Sequence, residues 1–403
     1  MKKIIIVCGV GGGIENALTL FRKKGYSLII INERSIKIQK DDTLLIIDLS
    51  EHKVILNYIK KNYSLKEIKG IIPLGLEKGV RLAAFMANDL HLPGPSIKQS
   101  EILTDKFYLY TVLKESNLPV PKTIKVDSLK ELKTKVSNMG FPLVIKPSNS
   151  AGARGVKKIH SKLDLEDSFN YATKISNKII IQKCLYGSEH SIEAVIFNGE
   201  IYITGFSDRL FLYKKYDPYF VESGDLLPSR LSQNKILCLI DLFKNVVRTL
   251  NIKTGVIKGD LILTNKGPFI LELAGRHGSP NFWKLSKLAY GTNSISASID
   301  AYTGKRPDVK NIYMNKSRGV CFKCIFTKKG FYKNVEGISN LNKLGGFKEF
   351  SWWNGKKPKP NTYIGNYKNL SDMFAFVIAT GKNSEDSLRN CNNIIKEVRV
   401  ILK

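Results

Sequence analysis

The sequence predicts an α/β protein that begins with a doubly wound parallel sheet and continues into a hairpin-rich part closed by a small α/β lobe. Three observations point there. Short β-branched runs alternate with helical patterns through the first hundred residues, turn signals such as Asn198-Gly199 and Asn265-Lys266-Gly267 join later apolar runs, and 403 residues exceed one simple core.

The run Lys3 to Cys8 reads as a buried parallel strand, followed by Gly9, Gly11, Gly12 and Gly13 and a helical pattern from Glu15 to Lys24. Strand signals recur at Leu28 to Ile31, Leu44 to Ile47 and Ile71 to Leu74. The glycines are spaced G-x-G-G-G rather than G-x-G-x-x-G, so a plain strand-to-helix turn is the reading rather than a dinucleotide site. Backbone amides there could still receive a substrate carboxylate. Glu77 follows a strand end and opens a helix, where open α/β sheets place ligands, which makes it a substrate-contact candidate as well as an ordinary first-turn acid.

Leu92-Pro93-Gly94-Pro95 reads as a linker, followed by a helix carrying Asp105-Lys106. FPLVIK, Phe141 to Lys146, is a strand that delivers Lys146 to the small-residue loop PSNSAGARGV, with Ser148, Gly152 and Gly155. A lysine at the mouth of a loop rich in free N-H groups fits a lid over phosphates, although G-K-[ST] of a Walker A loop is absent. Lys178 to Gln182 is a further strand, and Glu189 and Glu193 lie on the next one, with His190 between them as a structural residue.

The stretch Thr254 to Ser279 organises the rest. Val256 to Leu263 and Phe269 to Leu273 flank Asn265-Lys266-Gly267, which has the composition of a three-residue hairpin loop. With Thr264 facing Pro268, counting back places Asp260 opposite Glu272 on one face of the ladder. Facing residues have Cβ atoms about 4.5 to 5.5 Å apart, so two ionised carboxylates there call for a cation. Oxygen-only ligands suit Mg²⁺ or Mn²⁺, which take their remaining oxygens from water and phosphate. Ala274 and Arg276 continue that face, so a guanidinium follows the acids where phosphate charge can develop. A solvated surface hairpin is the plain alternative, and a one-residue slip would separate the acids.

With 64 Lys and Arg against 35 Asp and Glu, the formal charge is +29. The basic residues are scattered, with no zinc-finger spacing and no basic run interleaved with stacking aromatics, so nucleic acid is not the expected partner. Six dispersed cysteines resemble reduced usage, and Cys321 and Cys324, three apart on a strand, point to opposite faces rather than to one metal. The lysines and apolar run at the start are too short for a signal peptide, and no stretch is long enough to span a bilayer, so a soluble cytoplasmic protein is expected.

Taken as an ordered series, TDKFYLYTVLKESNLPVP with Lys106, FPLVIKPSNSAGARGV with Lys146, QKCLYGSEHSIE and GVIKGDLILTNKGPFILELAGRHGS resemble the ATP-grasp superfamily of carboxylate-amine ligases. The resemblance implies a pre-ATP-grasp domain (1–95), a grasp N-terminal lobe with the lid (96–185), a grasp C-terminal lobe with the metal site (186–310) and a C-terminal lobe (311–403). Carried over, Lys106 and Lys146 look like the lysines that contact ATP phosphates. Ser148, Gly152 and Gly155 look like the lid over them. Gln182, Lys183 and Leu185 look like the adenine hinge, and Glu189 like the ribose acceptor. Asp260 and Glu272 look like the metal pair, and Arg276 like the residue that steadies the transferred phosphoryl group or acyl phosphate. The pattern departs from the family at Gln182 and Asp260, where glutamate is usual, and at Ala274, where many members have asparagine.

Ser207 to Leu231 is similar to an insertion of the L-amino-acid (dipeptide) ligases, with Arg209 and Glu222 as charged candidates for an amino acid's ends. Arg318 is a further candidate carboxylate clamp. The expected reaction joins a carboxylate to an amine, at the expense of ATP, with small molecules as partners and a homodimer left open. The rivals are a purine-biosynthesis or carboxylase-type enzyme using a small acid or bicarbonate, and a nucleotide- or nucleic-acid-binding protein without ligase chemistry.

Overall fold

A computed structural model describes residues 2–11, 13–278, 281–353 and 355–403; Gly12 of the glycine run and Ser279 of the hairpin stretch lie outside the described residues. The first four strands, β1 (Ile4–Cys8), β2 (Ser27–Asn32), β3 (Thr43–Ile46) and β4 (Ile68–Pro73), pair in parallel in the order β3-β2-β1-β4. The run IIIVC of β1 is buried throughout because both faces are covered. Ile5 and Val7 pack into one cluster and Ile4, Ile6 and Cys8 into another on the opposite face, as alternation on a strand requires. Glycine at 79 lets the helix Glu77–Asp89 sit against the end of β1: a Cβ there would meet the Cys8 carbonyl oxygen at 2.4 Å. That close approach fixes Glu77 at the carboxyl edge of the sheet.

A second sheet, antiparallel, is built from β5 (Thr123–Val126), β6 (Leu143–Pro147), β7 (Lys157–Ile159) and β8 (Ile179–Lys183) in the order β5-β8-β6-β7. The loop between β6 and β7 is the small-residue segment expected as a lid. Strands β9 (Ser188–Phe197), β10 (Glu200–Phe211), β11 (Glu222–Leu227), β12 (Gly255–Thr264) and β13 (Gly267–Ala274) then open a large antiparallel sheet. Of the remaining strands, β14 (Gly319–Ile325), β15 (Gly330–Glu336), β16 (Phe347–Trp352), β17 (Tyr363–Ile364), β18 (Ala375–Gly381) and β19 (Arg399–Leu402), three join it. Its order is β13-β12-β9-β10-β11-β14-β18-β16, so the sheet runs through residue 310, and β17-β15-β19 form a separate small sheet. The aromatic and aliphatic cluster around β14, β18 and the helix Ser384–Glu397 gives the C-terminal lobe its core.

The hairpin differs from its expected form in one instructive way. Thr264 pairs with Gly267, not Pro268, so the turn holds two residues, Asn265 and Lys266. That register alone would put Asp260 opposite Leu271. A β-bulge at Leu271 inserts one extra residue into β13 and restores the pairing of Asp260 with Glu272.

No helix among the described residues is long and apolar enough to cross a membrane.

Candidate active site

A cavity of about 590 Å³ opens between three of the four sheets, lined from the first by Gly11, Asn32, Gly75 and Glu77, from the second by Lys146, the lid and Gln182, and from the large antiparallel sheet by Arg209, Asp260, Glu272 and Arg276.

Helix Lys106–Glu115 is fixed by Asp105, whose carboxylate accepts from the Phe107 and Tyr108 amides at 3.0 and 3.2 Å. This cap aims Lys106 into the cleft. Its Nζ donates to the Ser150 carbonyl at 2.5 Å and lies 2.9 Å from Glu272 Oε1. Burial works against the Lys106 charge, but Glu272 outweighs it and the pKa is raised. Lys146, at the end of β6, is only 8% exposed. Burial first, and then the neighbouring Lys106, push it down to about 7. Its Nζ donates to Tyr110 Oη at 3.0 Å.

Asp260, buried, accepts from Ser191 Oγ at 2.7 Å, pairs with Lys258 and lies 3.4 Å from Arg209 Nη1. Burial alone would raise its pKa; Arg209 and Lys258 override this and hold the carboxyl well below the usual range. Arg209 also binds Glu189 at 2.9 Å and Glu222 in a two-pronged pair at 3.1 and 2.8 Å. Both oxygens of Glu189 are thereby engaged, one by Arg209 and the other by the Tyr213 hydroxyl, and burial raises its pKa.

Arg276 Nε donates to Glu77 Oε1 at 2.8 Å, a bridge between residues 199 positions apart that ties the first sheet to the third. Against burial, the pair raises the pKa of Arg276 and lowers that of Glu77. The loop after Arg276 is anchored from beneath: Arg276 Nη1 donates to the His277 carbonyl at 2.8 Å, and the Gly278 amide to buried Glu193 at 2.7 Å.

Glu77, Lys106, Lys146, Gly152, Gln182, Lys183, Leu185, Glu189, Arg209, Asp260, Glu272 and Arg276 thus share one cavity wall. Ser148 stands just behind it, its hydroxyl on the Asp105 carboxylate and its carbonyl on the Lys106 amide, and Gly155 closes the lid loop with φ +74 against Pro147. Arg318 does not join them. It is exposed on the C-terminal lobe and donates to Thr380 Oγ1 at 3.0 Å, so its position lends no support to a clamp on a substrate carboxylate.

Several lining residues escaped the sequence reading. Lys258 had a signal: it lies two positions before Asp260 and therefore on the same face. Asp225 on β11 also lines the cavity; one oxygen accepts from Ser207 at 2.7 Å, and burial, with Glu222 nearby, raises its pKa. Tyr110, four residues after Lys106 on the same helix face, stands behind the wall and meets Lys146 there. Leu370 and Ser371 reach the cavity from the C-terminal lobe, with the Leu370 amide on the Gly152 carbonyl at 3.1 Å, and no local pattern announces that.

Among the described residues no group of three or more His, Cys, Asp or Glu side chains is placed to hold a metal ion. Asp260 and Glu272 nevertheless fit a hard divalent cation whose other oxygens come from water and a phosphate, because Asp260 is held ionised and faces Glu272 across the ladder.

Residues 103–280 match the ATP-grasp domain family. Within those residues the chain is similar to an ATP-grasp domain. Its fold is shared, over 100% of this chain, with three solved structures. The L-amino acid ligase from Bacillus licheniformis has a TM-score of 0.84 at 17% identity over 99% of its own length. The N5-carboxyaminoimidazole ribonucleotide synthetase from Thermotoga maritima scores 0.74 at 19% identity over 100% of its length. The biotin carboxylase domain of 2-oxoglutarate carboxylase from Hydrogenobacter thermophilus, a dimer in complex with MgADP and bicarbonate, scores 0.69 at 14% identity over 92% of its length. Solved structures of this fold thus include a ligase, a synthetase and a biotin carboxylase domain.

Proposed function

We propose that this protein is an ATP-dependent carboxylate-amine ligase that forms an amide bond through an acyl phosphate, releases ADP and phosphate, and takes an amino acid as one substrate. The observation that carries the reading is the convergence of Lys106, Lys146 and Arg276 on one cavity wall with the facing carboxylates Asp260 and Glu272. Lys106, Arg276 and, once a polyphosphate restores its charge, Lys146 beside an acidic pair suit in-line phosphoryl transfer to a carboxylate.

Lys106 and Lys146 meet the phosphates of ATP, while Ser148, Gly152 and Gly155 shape the lid above them. Gln182, Lys183 and Leu185 receive the adenine, and Glu189 the ribose. Asp260 and Glu272 hold Mg²⁺ or Mn²⁺, which when bound neutralises phosphate charge and aligns the leaving ADP. The substrate carboxylate oxygen attacks the γ-phosphorus and the bond to ADP breaks. The neutral amine then attacks the acyl carbon, the bond from that carbon to the phosphate oxygen breaks, and inorganic phosphate leaves with the proton the amine gives up. Arg276, held by Glu77, is the residue that meets the charge developing on the acyl phosphate in this reading. The closed lid keeps water from hydrolysing that intermediate.

An amino acid is supported by the end of the cavity formed by Arg209, Glu222 and Asp225 beside Phe211 and Phe220, which offers charges of both signs against an apolar wall. The fold likeness to an L-amino acid ligase agrees with it. In this reading the work divides among residues 1–95, 96–185, 186–310 and 311–403.

The test is phosphate release from Mg-ATP with pooled amino acids, followed by mass spectrometry of the products. Amide products whose phosphate release stops when amino acids are omitted support the ligase. Release that requires bicarbonate with a small acid selects the carboxylase-type reaction instead, and an RNA mobility shift without stabilisation by ATP selects a binding protein.

A further inference from the structure

The bulge at Leu271 does more than align the acidic pair. The extra residue places the Leu271 carbonyl where it accepts a hydrogen bond from the hydroxyl of Tyr110, which is buried on the helix that carries Lys106. With its proton committed to that carbonyl, the phenol oxygen is left as an acceptor, and Lys146 Nζ donates to it at 3.0 Å. The same Nζ lies 5.3 Å from the centre of the Tyr110 ring. A lysine side chain has four rotatable bonds, and holding it in one rotamer costs up to about 2 kcal/mol of conformational entropy. A buried acceptor of fixed direction offsets that cost. It acts on the amine whether or not the nitrogen carries its third proton, since either form donates.

We propose that Tyr110 is a positioning residue for nucleotide binding: clamped by the carbonyl of the bulged Leu271, its hydroxyl holds the Lys146 amine at the phosphate end of the cavity. The inference rests on the nucleotide reading of that cavity but not on the identity of the ligase substrates. One irregularity in one strand thereby sets both halves of the phosphate site, the carboxylates by register and the lysine through Tyr110.

The experiment is a double-mutant cycle on ADP binding by calorimetry, with Tyr110→Phe, Lys146→Met and the double variant, and with adenosine as the phosphate-free probe. Tyr110→Phe should weaken ADP about tenfold, the size expected of one hydrogen bond to a charged partner, and leave adenosine unchanged. In the Lys146→Met background the same change should cost less than about twofold. Equal losses in both backgrounds, or parallel losses for ADP and adenosine, overturn the proposal and make Tyr110 a packing residue. A crystal structure of the wild-type protein with ADP tests it without any variant: Lys146 Nζ within hydrogen-bond distance of Tyr110 Oη is expected, and a separation beyond that reach refutes it. Binding of ADP without ligation of any amine would sink the proposed function while leaving this cycle readable. Failure of the wild type to bind ADP at all would sink both.

Discussion

Lys146 gives the sharpest quantitative test of the cavity. Its pKa falls from the ordinary lysine value to about 7, through burial and then the nearby Lys106 charge. Between that value and about 10.4 the unfolded chain binds a proton that the native state does not, so stability must rise with pH across this window. The sign follows because a lysine depressed in the folded state penalises folding fully below its folded pKa and ceases to do so above its unfolded one. At ~1.4 kcal/mol per pH unit, the penalty below pH 7 is at most about 5 kcal/mol, and residual water in the cleft should reduce it to about 2 to 4 kcal/mol. Lys146→Met removes the titration. Urea unfolding of the nucleotide-free protein from pH 6 to 10 should show the variant gaining most over wild type at the acid end, with the gap narrowing toward pH 10. Loss of the Tyr110 hydrogen bond shifts the whole difference but not its slope. A polyphosphate restores the charge, so wild type at pH 8 should take up close to one proton, at most about 0.9, on binding ATP, read by calorimetry in buffers of different ionisation heat. A pH-independent gap together with no proton uptake would refute a depressed lysine.

Other perturbations follow from the same geometry. Asp260→Ala strips Lys258 and Arg209 of a shared buried partner and should cost about 3 kcal/mol in chemical denaturation, while abolishing Mn²⁺-dependent ATP turnover. Glu77→Gln leaves the Arg276 guanidinium without its ionic partner across the sheets, and kcat should fall roughly tenfold with ADP affinity unchanged in a binding titration. Arg318→Ala, on an exposed residue bonded to Thr380, should alter the kinetic constants by less than about twofold; a larger loss in steady-state assays would return Arg318 to the substrate.

What the sequence made legible, and what it hid, is clearest in the hairpin. The prediction that Asp260 faces Glu272 rests on a three-residue turn, whereas the turn has two residues and a bulge at Leu271 compensates. Alternation pins the faces of a strand, but a bulge carries no residue signature of its own, so two local features cancelled unseen. The parallel sheet was legible because IIIVC and its neighbours are buried on both faces and must be apolar throughout. The lysines at 106 and 146 were legible because each sits at the end of a periodic element. By contrast, Glu77 with Arg276 and Leu370 with the lid are meetings of distant segments, which tertiary packing decides and no window of sequence contains.

The cavity's paired bases contribute little to the formal charge of +29. Its bases are not a free electropositive surface. Lys106 is paired with Glu272, Lys258 and Arg209 with Asp260, and Arg276 with Glu77. Each carboxylate proposed for the metal pair therefore already has an internal counter-ion, and a divalent cation bound there would compete with Lys258 and Lys106 for it. That competition gives the pairing a direction. Nucleotide phosphates offer the displaced ammonium groups new partners, so metal and polyphosphate should bind more tightly together than either does alone. The acids offset the bases of the cleft, so under the proposed function an arriving nucleotide would exchange partners rather than meet bare charge.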